Sequence, residues 1–184
     1  LLSLAARLRS TVSHADPGGL FTQVAQEIKT FEAAANGLGA RPEVVLTARY
    51  CLCTLLDEVV LNTPWGSQSV WASHTLLNLF HNEGWGGEKF FQILDRLLVQ
   101  PAANLDLLEL MYLCMAMGLQ GKYRVHAAGK GQLDAVQARV LQTVQRLRGE
   151  TPRELSPHWE GVADARPALA RYVPLWVVGL VTAG

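Results

Sequence analysis

Apolar residues recur at helical spacing along almost the whole chain. Leu1, Leu4, Ala5 and Leu8 mark a first amphipathic helix that the pattern carries to about His14. Asp16-Pro17 supplies a cap with proline at the first helical position. Leu20, Val24, Ile28 and Phe31 then continue a second stripe until Asn36-Gly37-Leu38-Gly39 stops it. Pro42 opens a third helix in which Val45, Leu46, Cys53, Leu56 and Val60 have apolar neighbours on nearly every side. Such a helix must be covered all round, so it is placed at the centre. After the turn Asn62-Thr63-Pro64-Trp65-Gly66, Ser67 or Ser69 caps a helix expected to run unbroken to about Asn82. Gly84-Trp85-Gly86-Gly87 ends that helix, and the next runs from Glu88 to Val99, before Pro101. Asn104 is the expected cap of a second central helix, Leu105 to Met117, which Gly118 and Gly121 close. Leu133, Val136, Val140, Val144 and Leu147 define the last helix of the body. No segment alternates as a half-buried strand would. The pattern predicts an all-α bundle.

The C-terminal run breaks this pattern. From Val173 to Gly184 there is no charge, and Arg166 and Arg171 precede the run as they would on the cytoplasmic side of a span. A bilayer crossing takes about 20 residues, so the run reads as the first half of an anchor, with a short buried helix as the alternative. The expected organisation is a helical body over residues 1–165 and the start of a membrane helix over 166–184. The chain opens on Leu1 rather than Met, which reads as a piece of a longer protein, and its first fourteen residues lack the apolar stretch of a signal peptide.

Composition narrows the function classes. Among 184 residues, 16 Lys and Arg balance 16 Asp and Glu, and 49% are apolar. The mean hydropathy is +0.14. Without a basic excess there is little to displace counterions from phosphates, which argues against a nucleic-acid binder. Cys51, Cys53 and Cys114 lie in apolar runs. Their odd number argues against a disulfide framework, and Cys51 and Cys53 diverge too far on a helix to share a zinc. They read as small core residues. Neither Gly121-Lys122 nor Gly129-Lys130 has the earlier glycine or the following Ser/Thr of a phosphate loop, and no Gly-x-Ser-x-Gly elbow occurs. No cofactor is expected. His74, His81 and Glu83, with Asp57 and Glu58, could assemble a metal-assisted hydrolase, but the i, i+4 chelating pair is missing.

The carboxylates are more informative. Asp57 and Glu58 stand together at the C-terminal end of the central helix, where the macrodipole disfavours acid. They need donors. Either they are tied inside the bundle to Arg49, Lys122 or Arg124, or they form a partly exposed recognition site with one acid turned outward. Glu109, alone on an apolar helix, needs a basic partner, for which Lys122 and Arg124 are the candidates.

Several blocks then depart from the generic. They are Arg49-Tyr50-Cys51 through Leu56-Asp57-Glu58, Asn62-Thr63-Pro64-Trp65-Gly66, Leu79-Phe80-His81-Asn82-Glu83, and Gly84-Trp85-Gly86-Gly87-Glu88-Lys89-Phe90-Phe91. Leu107-Leu108-Glu109-Leu110-Met111-Tyr112-Leu113-Cys114, Gly118-Leu119-Gln120-Gly121-Lys122-Tyr123-Arg124, Arg148-Gly149 and Leu155-Ser156-Pro157-His158-Trp159 follow in order. In these blocks the chain closely resembles the DotU/TssL family of type VI secretion subunits, relatives of the type IV IcmH/DotU protein. The resemblance implies a hook-shaped cytoplasmic domain of two small helix bundles, with seven to eight helices, followed by one inner-membrane helix. It implies a non-enzymatic adaptor that associates with a TssM/IcmF-family protein, and through it with an outer-membrane lipoprotein. It also implies contacts with the baseplate proteins TssK and TssE. A homodimer, formed partly through the membrane helix, is a separate expectation. The family's acidic pair in the cleft of the hook falls on Asp57 and Glu58. With Asn82 and Glu83 of the neighbouring loop they are the expected partner-binding residues. A third class, a small-ligand carrier, would require an enclosed apolar cavity where an adaptor requires an open groove.

Overall fold

A computed structural model describes residues 1–125 and 127–149. All regular structure among them is helical: α1 (Leu2–Arg9), α2 (Pro17–Gly37), α3 (Pro42–Leu61), α4 (Val70–Ser73), α5 (Leu76–His81), α6 (Gly87–Leu97), α7 (Leu105–Ala116) and α8 (Gly129–Arg148). Short 3-10 turns at Pro101–Asn104 and Gly121–Val125 flank α7. The expected residues 150–165 of the body and the expected anchor over 166–184 lie outside the described residues.

The all-round apolar character of α3 has the predicted consequence. From Tyr50 to Val60 every residue is buried, because α1, α2, α4 and α5 pack against it as one group and α6 and α7 as a second. α8 lies against α7 and completes the second group. A single hydrophobic core runs through both groups, with Ile28, Leu55, Trp71, Phe90, Met111 and Leu119 at or near zero exposure. The stretch Pro101–Val125 is apolar and long enough to cross a membrane by composition. Within it, α7 has 12 residues, about 18 Å at 1.5 Å per residue, well short of a bilayer's ~30 Å hydrocarbon core. It is the core helix of the second group.

Three local expectations are corrected. α1 ends at Arg9 rather than near His14. The Ser10 and Thr11 hydroxyls both donate to the Arg7 carbonyl, and the Trp65 indole donates to the Thr11 carbonyl at 3.0 Å, which turns the chain away from the helix axis. The single helix expected from Ser67 or Ser69 to Asn82 is two short ones. His74 and Thr75 leave helical geometry, and Thr75 recaps α5 by accepting from the Asn78 N–H. Asn104 does not cap α7 with its side chain. It donates back to the Leu97 and Gln100 carbonyls.

Candidate functional site

The break between α4 and α5 is caused by Asp57. Its Oδ1 accepts the Trp71 indole N–H at 2.7 Å and the Leu76 N–H at 2.9 Å, while its Oδ2 accepts the Leu77 N–H at 2.9 Å. With Thr75 on Asn78, the first three N–H groups of α5 all have side-chain acceptors, so so short a helix does not carry open donors. Glu58 performs the same service on the other side. It accepts the Gln120 N–H at 2.8 Å through Oε1 and the Gly121 N–H at 3.0 Å through Oε2, at the start of the 3-10 turn that follows α7. Neighbouring side chains on a helix diverge by about 100°. Consecutive acids can therefore clamp two segments from opposite bundles onto the end of α3.

The acids sit at the negative end of α3 yet point at the donor ends of two other segments, where negative charge is favoured. Both are buried, at 4% and 6% exposure, so the expectation that one acid turns outward is not met. Neither finds its partner in Arg49 or Lys122. Arg124 acts on Glu58 only as a nearby positive charge. Burial pushes the Asp57 carboxyl up to about 6, against the downward pull of its Leu77, Leu76 and Trp71 donors. Burial also raises Glu58, against the Gln120 and Gly121 donors.

Beside the pair lies a small cleft, open to solvent, lined by Thr54, Leu61, Asn62, Trp85 and Arg124 as well as the two acids. Its wall is the Gly84-Trp85-Gly86-Gly87 loop, held against α3 at contact distance. A Cβ on Gly86 would lie 2.5 Å from the Thr54 hydroxyl oxygen. Gly121, at φ +50, packs so close to Gly87 that a Cβ would meet its carbonyl oxygen at 2.5 Å. Trp85 stays 58% exposed at the rim.

Beside the cleft, Glu83 accepts from the Tyr50 hydroxyl at 3.0 Å and pairs with Lys89, whose ammonium lies over the Tyr50 ring. Lys89, then Tyr50, holds the Glu83 carboxyl below its ordinary range. Asn82 is exposed and takes the left-handed conformation that ends α5. His81 packs edge-on against Tyr50, and burial followed by the Arg49 charge lowers its imidazole, favouring the neutral form. Arg49 pairs with Glu32 at 2.7 Å.

The residues of the hydrolase alternative do not converge. Asp57 is committed to α5, His81 to Tyr50, and His74 to the neighbouring Ser73 hydroxyl. Among the described residues no three His, Cys, Asp or Glu are placed to hold a metal ion. The three cysteines are buried free thiols, raised by burial, Cys114 to about 12. Glu109 is buried and paired, but with Arg148 at the end of α8 rather than with Lys122 or Arg124; Asp106 adds a second contact at 3.7 Å.

The described residues form an all-helical domain organised around one buried central helix. Solved structures of that kind match it closely. TssL from Vibrio cholerae is 38% identical with a TM-score of 0.72, over 80% of this chain and 97% of that one. The cytoplasmic domain of TssL from Acinetobacter baumannii is 27% identical with a TM-score of 0.73, over 79% and 92%. No curated protein sequence matches. The family model described as type VI secretion system protein DotU matches residues 1–184, and the chain belongs to that family. The family is an inner-membrane component of the type VI secretion apparatus, and the expected two-bundle helical architecture is the one found.

Proposed function

We propose that the chain is a non-enzymatic adaptor, tethered in the inner membrane by its C-terminal apolar run, which docks baseplate components through the cleft beside α3. The observation that carries this reading is Trp85, an exposed indole at the rim of a cleft whose floor is two buried carboxylates. Trp is the residue type most enriched among interface hot spots. Asp57 and Glu58 then serve recognition from within: they fix the cleft walls and give its floor an acidic character. Asn82 and Glu83 at the neighbouring loop, with Trp85, are the surface a partner touches.

The partners in this reading are a TssM/IcmF-family protein beside it in the membrane and TssK and TssE on the cytoplasmic side, with a homodimer formed partly through the membrane helix. Confinement to one membrane surface raises the effective concentration of co-tethered partners, so modest contacts add into a stable assembly. Capture from envelope extracts with the full-length protein is the test. Recovery of the TssM-family and baseplate proteins is expected. Recovery of the membrane partner alone would remove the docking role from the cleft.

A further inference from the structure

α6 and α8 run in one direction and α7 returns between them. Gly87 of α6 and the start of α8 both meet the 3-10 turn Gly121–Val125 at one end. At the other end the 3-10 turn Pro101–Asn104 packs on α7 and α8, and Arg148, the last residue of α8, is fixed to Asp106 and Glu109. The chain leaves the described helices here, at Gly149. This same end carries a stretch without charge, Leu97 through Leu105. Val99 is 77% exposed, Ala102 and Ala103 are exposed, and Leu147 of the last turn of α8 is 38% exposed.

Resting on the membrane-tether reading above, we infer that the edge formed by Val99, Ala102, Ala103 and Leu147 lies against the lipid surface and sets the orientation of the domain. Three observations bear on the choice of lipid as the occupant. First, the run Val173–Gly184 follows the exit in sequence. Second, most backbone N–H groups of this turn are paired within it, which lowers the cost of facing an apolar phase. Val99 N–H donates to the Arg96 carbonyl and Gln100 N–H to that of Leu97. Ala103 N–H donates to Gln100, and the Asn104 amide donates to the Leu97 and Gln100 carbonyls. Third, the charge is of the right sign for anionic headgroups. Arg96 precedes the apolar stretch and Arg146 lies in the last turn of α8, and neither makes an ion pair among the described residues. The acids of this end, Asp95, Asp106 and Glu109, are paired to Arg139 and Arg148.

The test places an environment-sensitive nitrobenzoxadiazole label on the full-length chain at V99C or, at the opposite end of α7, at V125C, a position 82% exposed. The native thiols are buried and do not compete for label. The labelled protein is reconstituted in phosphatidylethanolamine–phosphatidylglycerol vesicles containing a headgroup-nitroxide lipid. Expected are a blue shift at position 99 and quenching there at least about twofold stronger than at 125. Equal quenching at the two positions, in protein that floats with the vesicles, overturns this orientation and leaves the tether standing. Protein that fails to float with the vesicles overturns the tether and this inference together. A shift at 99 that is present without lipid and grows with protein concentration overturns it in favour of a second copy of the chain on this edge.

Discussion

The two central helices bury carboxylates by opposite means. On α3, Asp57 and Glu58 are neutralised by backbone and indole N–H donors from segments they pin in place. On α7, Glu109 is neutralised by a guanidinium brought from the end of α8. The first arrangement joins the two halves of the fold, since Asp57 holds α5 and Glu58 holds the turn after α7. The second fixes a single helix end. A donor set supplied by the backbone demands an acceptor and tolerates no cation. An ion pair can be exchanged for a matched apolar pair. The difference shows why an acidic pair at a cleft can be essential without touching a partner.

Reversing the charge of the pair is the harshest challenge to this contrast. The variant carrying both D57K and E58K removes every acceptor of both clamps and buries two cations against helix N-termini. Collapse of the folded state is expected, read as loss of helicity by circular dichroism. Retained helicity would show the pair to be accessible and unneeded. On the α7 side, R148M leaves Glu109 buried beside no cation and should cost about 2–3 kcal/mol, less than a fully buried pair because Arg148 is partly exposed. Adding E109L to R148M should return most of that loss in denaturant melts, whereas no matched replacement should rescue the α3 pair.

The smallest effect is the pH dependence. Asp57 is raised from 3.8 to about 6 on folding, so the folded chain binds a proton more tightly there than the unfolded one. Stability from this group therefore falls as pH rises through the window from about 4 to 6. Acidification from pH 7 to 5 should gain about 1 kcal/mol from this group, opposed by His81, whose lowered imidazole costs stability as pH falls below 6.5. Glu83, lowered on folding from its ordinary 4.5, works in the opposite sense, its contribution being lost as pH falls below that value and through the folded one. D57N should flatten the slope between pH 7 and 5, and a slope unchanged in D57N would assign it elsewhere.

Much of this molecule is legible in its sequence because local patterns decide it. The Asp16-Pro17 cap, the stop after Gly37 and the continuous burial of α3 are each set by residues within a few turns. The two largest misses share one cause, a partner distant in the chain. The α4–α5 break depends on an acceptor nineteen residues upstream of Leu76. The cation for Glu109 lies 39 residues downstream, past two nearer candidates. For Asp57 and Glu58 the need for donors was legible. That those donors are mainly backbone N–H groups was not, because every non-proline residue offers one and no sequence pattern marks which will be used. Trp85 was visible as a residue, but its exposure follows only from glycines that let the loop lie flat on α3.

The central claim separates an internal clamp from an external docking rim. W85A in the full-length protein tests that separation most directly, by capture of baseplate proteins alongside a melting curve. The account predicts an unchanged melt with capture weakened about tenfold or more, the cost of truncating an interface hot spot. Full capture by W85A, with the fold intact, would contradict it.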